Sequence, residues 1–176
     1  MLIEQLFAEG LMTMGPSTID PSKQIGVFPA QLIPRVVSER AAAIERFRWI
    51  EGNWDYQNIV PATRFNPSFS DDGSMTFAIR EGWVCSIAPD GKENRWITFD
   101  PFSKQWIYLL TKGSYGMLRS ADGSVFTGLM TMIGKNLDWR MTWTKTSDDE
   151  FMFVNEELEN GTDWVYIDEW RFKRKA

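Results

Sequence analysis

Four side chains pair acid–base or hydrogen-bonding capacity with apolar sequence neighbours: Glu81, Asn155, Glu157 and Tyr166. Glu81 lies in "MTFAIREGWVCSI" (75–87). Strict alternation puts it on one strand face with Met75, Phe77, Ile79, Trp83, Cys85 and Ile87. A carboxylate buried among such neighbours has a raised pKa and can act as an acid or a base. The competing reading is a strand end or bulge at Gly82 that turns Glu81 to water. Asn155, Glu157 and Tyr166 share one face of an expected last hairpin. They could orient a ligand in an apolar cavity, or form a rim or an outer face. Glu156, Glu157 and Glu159 resemble a metal cluster only in one dimension, because alternate strand residues point to opposite faces. No metal site is expected.

The chain has no histidine. That removes the usual proton shuttle near neutrality and the commonest metal ligand. A Ser-His-Asp or Cys-His triad and a histidine-held haem or zinc are ruled out, and no cofactor is expected. An enzyme is the less favoured class. The net charge is −5, with no basic run beyond the terminal "RFKRKA". Nucleic acid is therefore a poor partner, since phosphates need a clustered positive face. The opening "MLIEQLFAEGLM" lacks the basic and small-residue features of a signal peptide, and no apolar run is long enough to span a membrane. A single cysteine, Cys85, allows no internal disulfide and points to a reducing cytoplasm.

The elements that must position these residues follow from pattern. Of 176 residues, 43% are hydrophobic and 24% charged, enough for one packed domain. Nine Trp and twelve Phe favour broad strand surfaces. Residues 1–37 read as an arm, a short helix followed by a proline-broken loop. It could pack on its own barrel, mediate a homodimer, or be a loose tail. Residues 38–176 form the barrel, led by a helix at about 39–50 with Ser38 as N-cap and Gly52 at its exit. Period-two runs then alternate with turns such as "DDGS" (71–74), "PDGK" (89–92), "ADGS" (121–124) and "IGKN" (133–136). This predicts a mainly β fold, an antiparallel up-and-down barrel of about 8–10 strands.

Two hairpins can be written out. A Gly134-Lys135 turn pairs Met132 with Leu137, Met130 with Trp139, Gly128 with Met141 and Phe126 with Trp143. That face is apolar or glycine throughout, while Thr127, Thr131, Asp138 and Arg140 line the other. So clean a separation fixes which face is inside. The last hairpin, turning at Asn160-Gly161, collects Phe151, Phe153, Asn155, Glu157, Trp164, Tyr166, Asp168 and Trp170 on one face. A three-residue loop at "SDDE" (147–150) turns that face inward; a two- or four-residue loop turns Val154 inward. Ring content favours the aromatic face.

These faces give three functional expectations. The first is a container for a small apolar or aromatic molecule, contacted by Trp83, Met130, Trp139, Met141, Trp143, Asn155 and Tyr166. Methionines adapt their shape, and Gly128 would leave room beside them. The same rings could simply fill the core. The second is a cofactor-free cyclase or isomerase using Glu81 or Glu157. The third is a filled barrel acting as a protein-interaction module.

The stretch "FRWIEGNWDY" (47–56) runs a helix end into Gly-x-Trp, Gly52 and Trp54. It resembles the start of lipocalins and the wider calycin group. With "D-P-x-x-x-x-W" at Asp100, Pro101 and Trp106, and a terminal Trp164…Arg174 step, residues 46–176 are similar to uncharacterised bacterial lipocalin-like proteins. The resemblance implies that Trp54 plugs one end of a barrel while Arg174, or Arg171, packs across its face. It also implies a ligand-holding interior.

Overall fold

The period-two runs after Gly52 become antiparallel strands in the computed structural model, which describes residues 33–62, 67–111, 114–132 and 134–175. Most of the expected arm, and any dimer made through it, lies outside the described residues. The chain divides into two compact units, Met1–Ser38 and Glu39–Ala176. Helix α1 (Ile33–Ile44) begins ahead of the expected helix, so Ser38 sits within it rather than capping it. Pro34, whose ring pre-sets a helical φ and whose missing N–H costs nothing in a first turn, suits that earlier start. A 3₁₀ segment, Glu45–Ile50, carries the chain to the sheet. Among the described residues no helix is long and apolar enough to cross a membrane.

Ten antiparallel strands follow: β1 (Gly52–Val60), β2 (Phe69–Arg80), β3 (Trp83–Ile87), β4 (Glu93–Asp100), β5 (Gln105–Leu110), β6 (Ser114–Ser120), β7 (Val125–Met132), β8 (Lys135–Lys145), β9 (Glu150–Glu159) and β10 (Asp163–Arg174). Each pairs with the next, and β1 also pairs with β10, closing the barrel. The "DDGS" stretch is strand, not turn. Gly73 faces Tyr56, and a Cβ there would fall 2.6 Å from the Tyr56 hydroxyl, so the glycine makes room for the ring. The expected single strand through Glu81 is instead a hairpin. Arg80 pairs with Trp83, and Glu81 and Gly82 form the turn with φ of 51° and 80°, the two positive values of a type I′ turn.

The β7–β8 hairpin keeps the expected faces with a register shifted by two. Met132 pairs with Lys135, Met130 with Leu137, Gly128 with Trp139 and Phe126 with Met141. Gly134 thus belongs to the turn. In β8–β9 a three-residue loop, 147–149, sets Trp143 opposite Phe153 and turns the aromatic face inward. The β9–β10 hairpin departs further. Its loop is three residues long, 160–162, and a bulge between Tyr166 and Asp168 restores the phase. Asp168, Trp170 and Phe172 therefore point inward while Trp164 and Tyr166 point out. Trp164 lies 4.5 Å over the Arg140 guanidinium, which is itself held by Glu156 at 2.6 and 2.7 Å.

Candidate functional site

One end of the barrel is shut. Ile44, Phe47 and Ile50 are buried across it, with Phe47 4.8 Å from the Trp106 ring. Trp54 has no exposed surface, and its indole N–H donates to the Ile50 carbonyl at 2.7 Å. Arg174, not Arg171, lies 4.3 Å over the Trp54 ring. It donates to the carbonyls of Glu51 at 2.8 Å and Trp49 at 2.5 Å. Gly52 fits there because its φ of 126° is one that other residues rarely adopt, and a Cβ would sit 2.9 Å from the guanidinium. Arg171 instead pairs with Glu169 near the barrel surface.

The chemistry lies toward the opposite end. On β4, alternation with the inward Ile97 and Phe99 carries Arg95 into the lumen. Its guanidinium reaches across to β10 and β9, 4.6 Å over the Trp170 ring and 6.0 Å over Phe153, and donates to the Met75 sulfur at 3.6 Å. It also lies against Tyr108, whose phenol is pushed above its usual range by burial, with Arg95 acting in opposition. No described carboxylate lies within ion-pairing distance of Arg95. Asp168 is the inward carboxylate of β10. Burial raises its pKa, against hydrogen bonds from Asn155 and Trp170 and the more distant pull of Arg95. Asn155 links the two sides of this wall, donating to Asp168 at 2.7 Å and accepting from the Trp139 indole at 3.0 Å.

Beside these groups a pocket of about 380 Å³ opens at the barrel mouth, below the Ala88-Pro89 turn. Its inner wall is Tyr56, Met75, Asn94, Arg95, Leu110 and Trp170. A depression of about 410 Å³ elsewhere is largely formed by Asp55, Gln57, Met152, Arg171 and Lys173, whose side chains point outward. It lies on the outer side of β1, β10 and β9, over Tyr56, Phe151 and Phe172, whereas the mouth pocket reaches the inward Arg95 and Trp170 and is the better candidate.

The residues singled out from sequence are divided by this geometry. Met130, Trp139, Met141, Trp143 and Asn155 are inward and buried. Trp143 is sandwiched by Phe151 at 5.6 Å and Phe153 at 5.2 Å, so that part of the lumen is packed with rings. Gly128 leaves no space: an added Cβ would meet the Met117 carbonyl at 2.5 Å. Glu157 is half-buried on the inner face, opposite Trp139. Trp83 pairs with Arg80 and Thr98 on the outer face, and Tyr166 is 39% exposed outside because the three-residue 160–162 loop shifts the register by one. Glu81 is exposed in its turn. Arg95, Tyr56, Trp170 and Asp168 were not singled out as site residues. The available signals were an arginine alternating with Ile97 and Phe99, and Tyr56 two residues beyond Trp54.

Neither a protein-family model nor a curated protein matches the sequence. Among solved structures, the chain is similar to the crystal structure of Rv2717c from M. tuberculosis at 12% identity, over 76% of this chain and 98% of that one, with a TM-score of 0.38. At that level the likeness carries no functional information.

Proposed function

We propose that the protein is a lipocalin-like container that holds a small apolar or aromatic molecule in the mouth pocket. The carrying observation is the pocket itself, walled by the rings of Tyr56 and Trp170 and by Met75 and Leu110. Its volume is at the low end of small-ligand sites, about 300–1,000 Å³. The lipocalin-like assignment is supported by the closed end, where Gly52, Trp54 and Arg174 form one packed unit. The ligand is placed against Trp170 rather than Trp143, which its neighbours already cover. A reducing, cytoplasmic setting suits the free, buried Cys85, whose thiol is pushed up to about 12, chiefly by burial.

Titration with one- and two-ring aromatics, neutral and acidic, tests this reading. Binding should quench tryptophan emission and raise the melting temperature by mass action. Trp170→Ala should abolish both effects, and Trp143→Phe should leave them. If no compound binds the wild type up to its solubility limit, the container reading fails. The exposed Tyr115, Met117 and Leu129 on neighbouring strands would then favour an interaction surface.

A further inference from the structure

A guanidinium inside a barrel is a costly object. It stays charged at any pH a folded protein meets, and its burial costs free energy unless another group compensates. Here the compensation is partial. Trp170, Phe153 and Met75 offer soft, weak contacts to Arg95, and the neutral Tyr108 phenol adds a hydrogen bond but no countercharge. Asp168, the inward carboxylate of β10, is engaged by Asn155 and Trp170. Arg95 thus presents a cation to the mouth pocket.

We propose that the pocket selects a planar organic monocarboxylate, its carboxylate paired with Arg95 and its ring system against Tyr56 and Trp170. This rests on the container reading and sharpens it. Carboxylate and guanidinium match as planar forks that share two parallel hydrogen bonds. A flat body suits the pocket because Tyr56 and Trp170, in contact with centroids 5.0 Å apart, form a continuous aromatic wall. The modest volume favours one or two rings over a long acyl chain. A dianionic head such as a phosphate monoester is disfavoured: the pocket supplies one cation, and the Tyr56 phenol, pushed up chiefly by burial, also feels the negative charges of Asp71 and Asp72.

The probes are 2-naphthoate, 2-naphthamide and 2-naphthyl phosphate, titrated into the full chain by calorimetry. For the wild type, 2-naphthoate should bind at least about tenfold more tightly than the amide, the size expected for a hydrogen-bonded charge pair. The phosphate should bind more weakly than 2-naphthoate. Arg95→Met should erase the preference for acid over amide while leaving amide affinity within about twofold, which also shows that the variant is folded. Arg95→Lys should retain part of the preference, because the charge remains and the fork is lost. If the Met variant does not fold, the Lys variant and the wild-type acid–amide comparison decide. Equal binding of acid and amide by the wild type, or an undiminished preference in the Arg95 variants, overturns the carboxylate assignment and leaves the container reading standing. Tighter binding of the phosphate overturns the choice of a monoanion. Failure of all three probes to bind removes the container reading and this inference together.

Discussion

Trp54 shows how one side chain can be held by several independent contacts. Its ring is covered by Arg174 at 4.3 Å and abutted edge-on by Phe151 at 4.8 Å, and its N–H is satisfied within the neighbouring 3₁₀ segment. Trp54→Ala should cost about 3–5 kcal/mol in urea melts, as large aromatic truncations in cores do; a loss below about 1 kcal/mol would show that the end cap is not part of the core. Trp143 differs, because its indole N–H is buried without a partner among the described residues. Trp143→Phe removes that unsatisfied donor, which offsets the lost ring area, so the change should stay within about 1.5 kcal/mol of wild type. Asp168 supplies a pH dependence. Its folded pKa is raised by burial, with Asn155, Trp170 and Arg95 facing it. The native protein therefore keeps a proton that the unfolded chain releases near pH ~3.9. The associated stability is complete below that value and is lost as pH rises through the folded pKa. Relative to wild type, Asp168→Asn should gain stability as pH climbs from about 4 to 7. Parallel curves across that range would mean that Asp168 ionises alike in both states. The Gly52–Trp54–Arg174 unit was legible only through the resemblance of the Gly-x-Trp corner to lipocalins, which left Arg171 as the alternative. Arg95 was not, because a charged side chain enters a lumen only once closure decides which face is inside; Asp168 lay on the face expected inward but carried no mark of a site.

At the scale of the elements, face was easier to read than register. The β7–β8 faces survive a register shift of two, because a shift by an even number preserves the side of every residue. Turn length sets that number, and "IGKN" admits a turn on 133–134 as readily as one on 134–135. Odd shifts are what mislead. In β9–β10 the longer loop moves Trp164 and Tyr166 outside, and the bulge returns Asp168 and Trp170 inside. A bulge inserts one unpaired residue without a strong sequence mark. Gly128 shows the same limit. On an apolar face it reads as space, yet it serves close approach of strands: an added Cβ would also meet the Leu118 Cα at 3.2 Å. Since backbone rather than a flexible side-chain end is in the way, Gly128→Ala should destabilise by about 1–3 kcal/mol, the usual cost of overpacking. A neutral or stabilising outcome in denaturant melts would restore the reading of Gly128 as open volume.

For the whole molecule, the decisive feature is the seam where β10 returns to β1. Six residue pairs, from Trp54–Arg174 to Ile59–Glu169, join strands more than a hundred residues apart in sequence. Closure leaves no free edge among the described strands for another chain to pair with. Hydrogen bonds alone could let such a seam breathe, but the seam strands also carry the lumen's ring stack. Phe172 of β10 lies parallel to Phe151 at 4.3 Å and meets Phe77 of β2 at 5.7 Å, and Tyr56 of β1 contacts Trp170 at 5.0 Å. Parting β1 from β10 separates Tyr56 from Trp170 and Phe172 and opens the stack to water. The loss of buried ring surface would then compound the loss of the pairing itself. The seam should therefore open only when the whole barrel unfolds. In native-state hydrogen exchange, the slowest amides of β1 and β10 should share the free energy of the slowest amides in β7 and β8, and that value should match the global unfolding free energy. Seam amides exchanging with a markedly lower free energy, while β7 and β8 stay protected, would show a curled sheet with a loose joint instead of a cooperatively closed barrel.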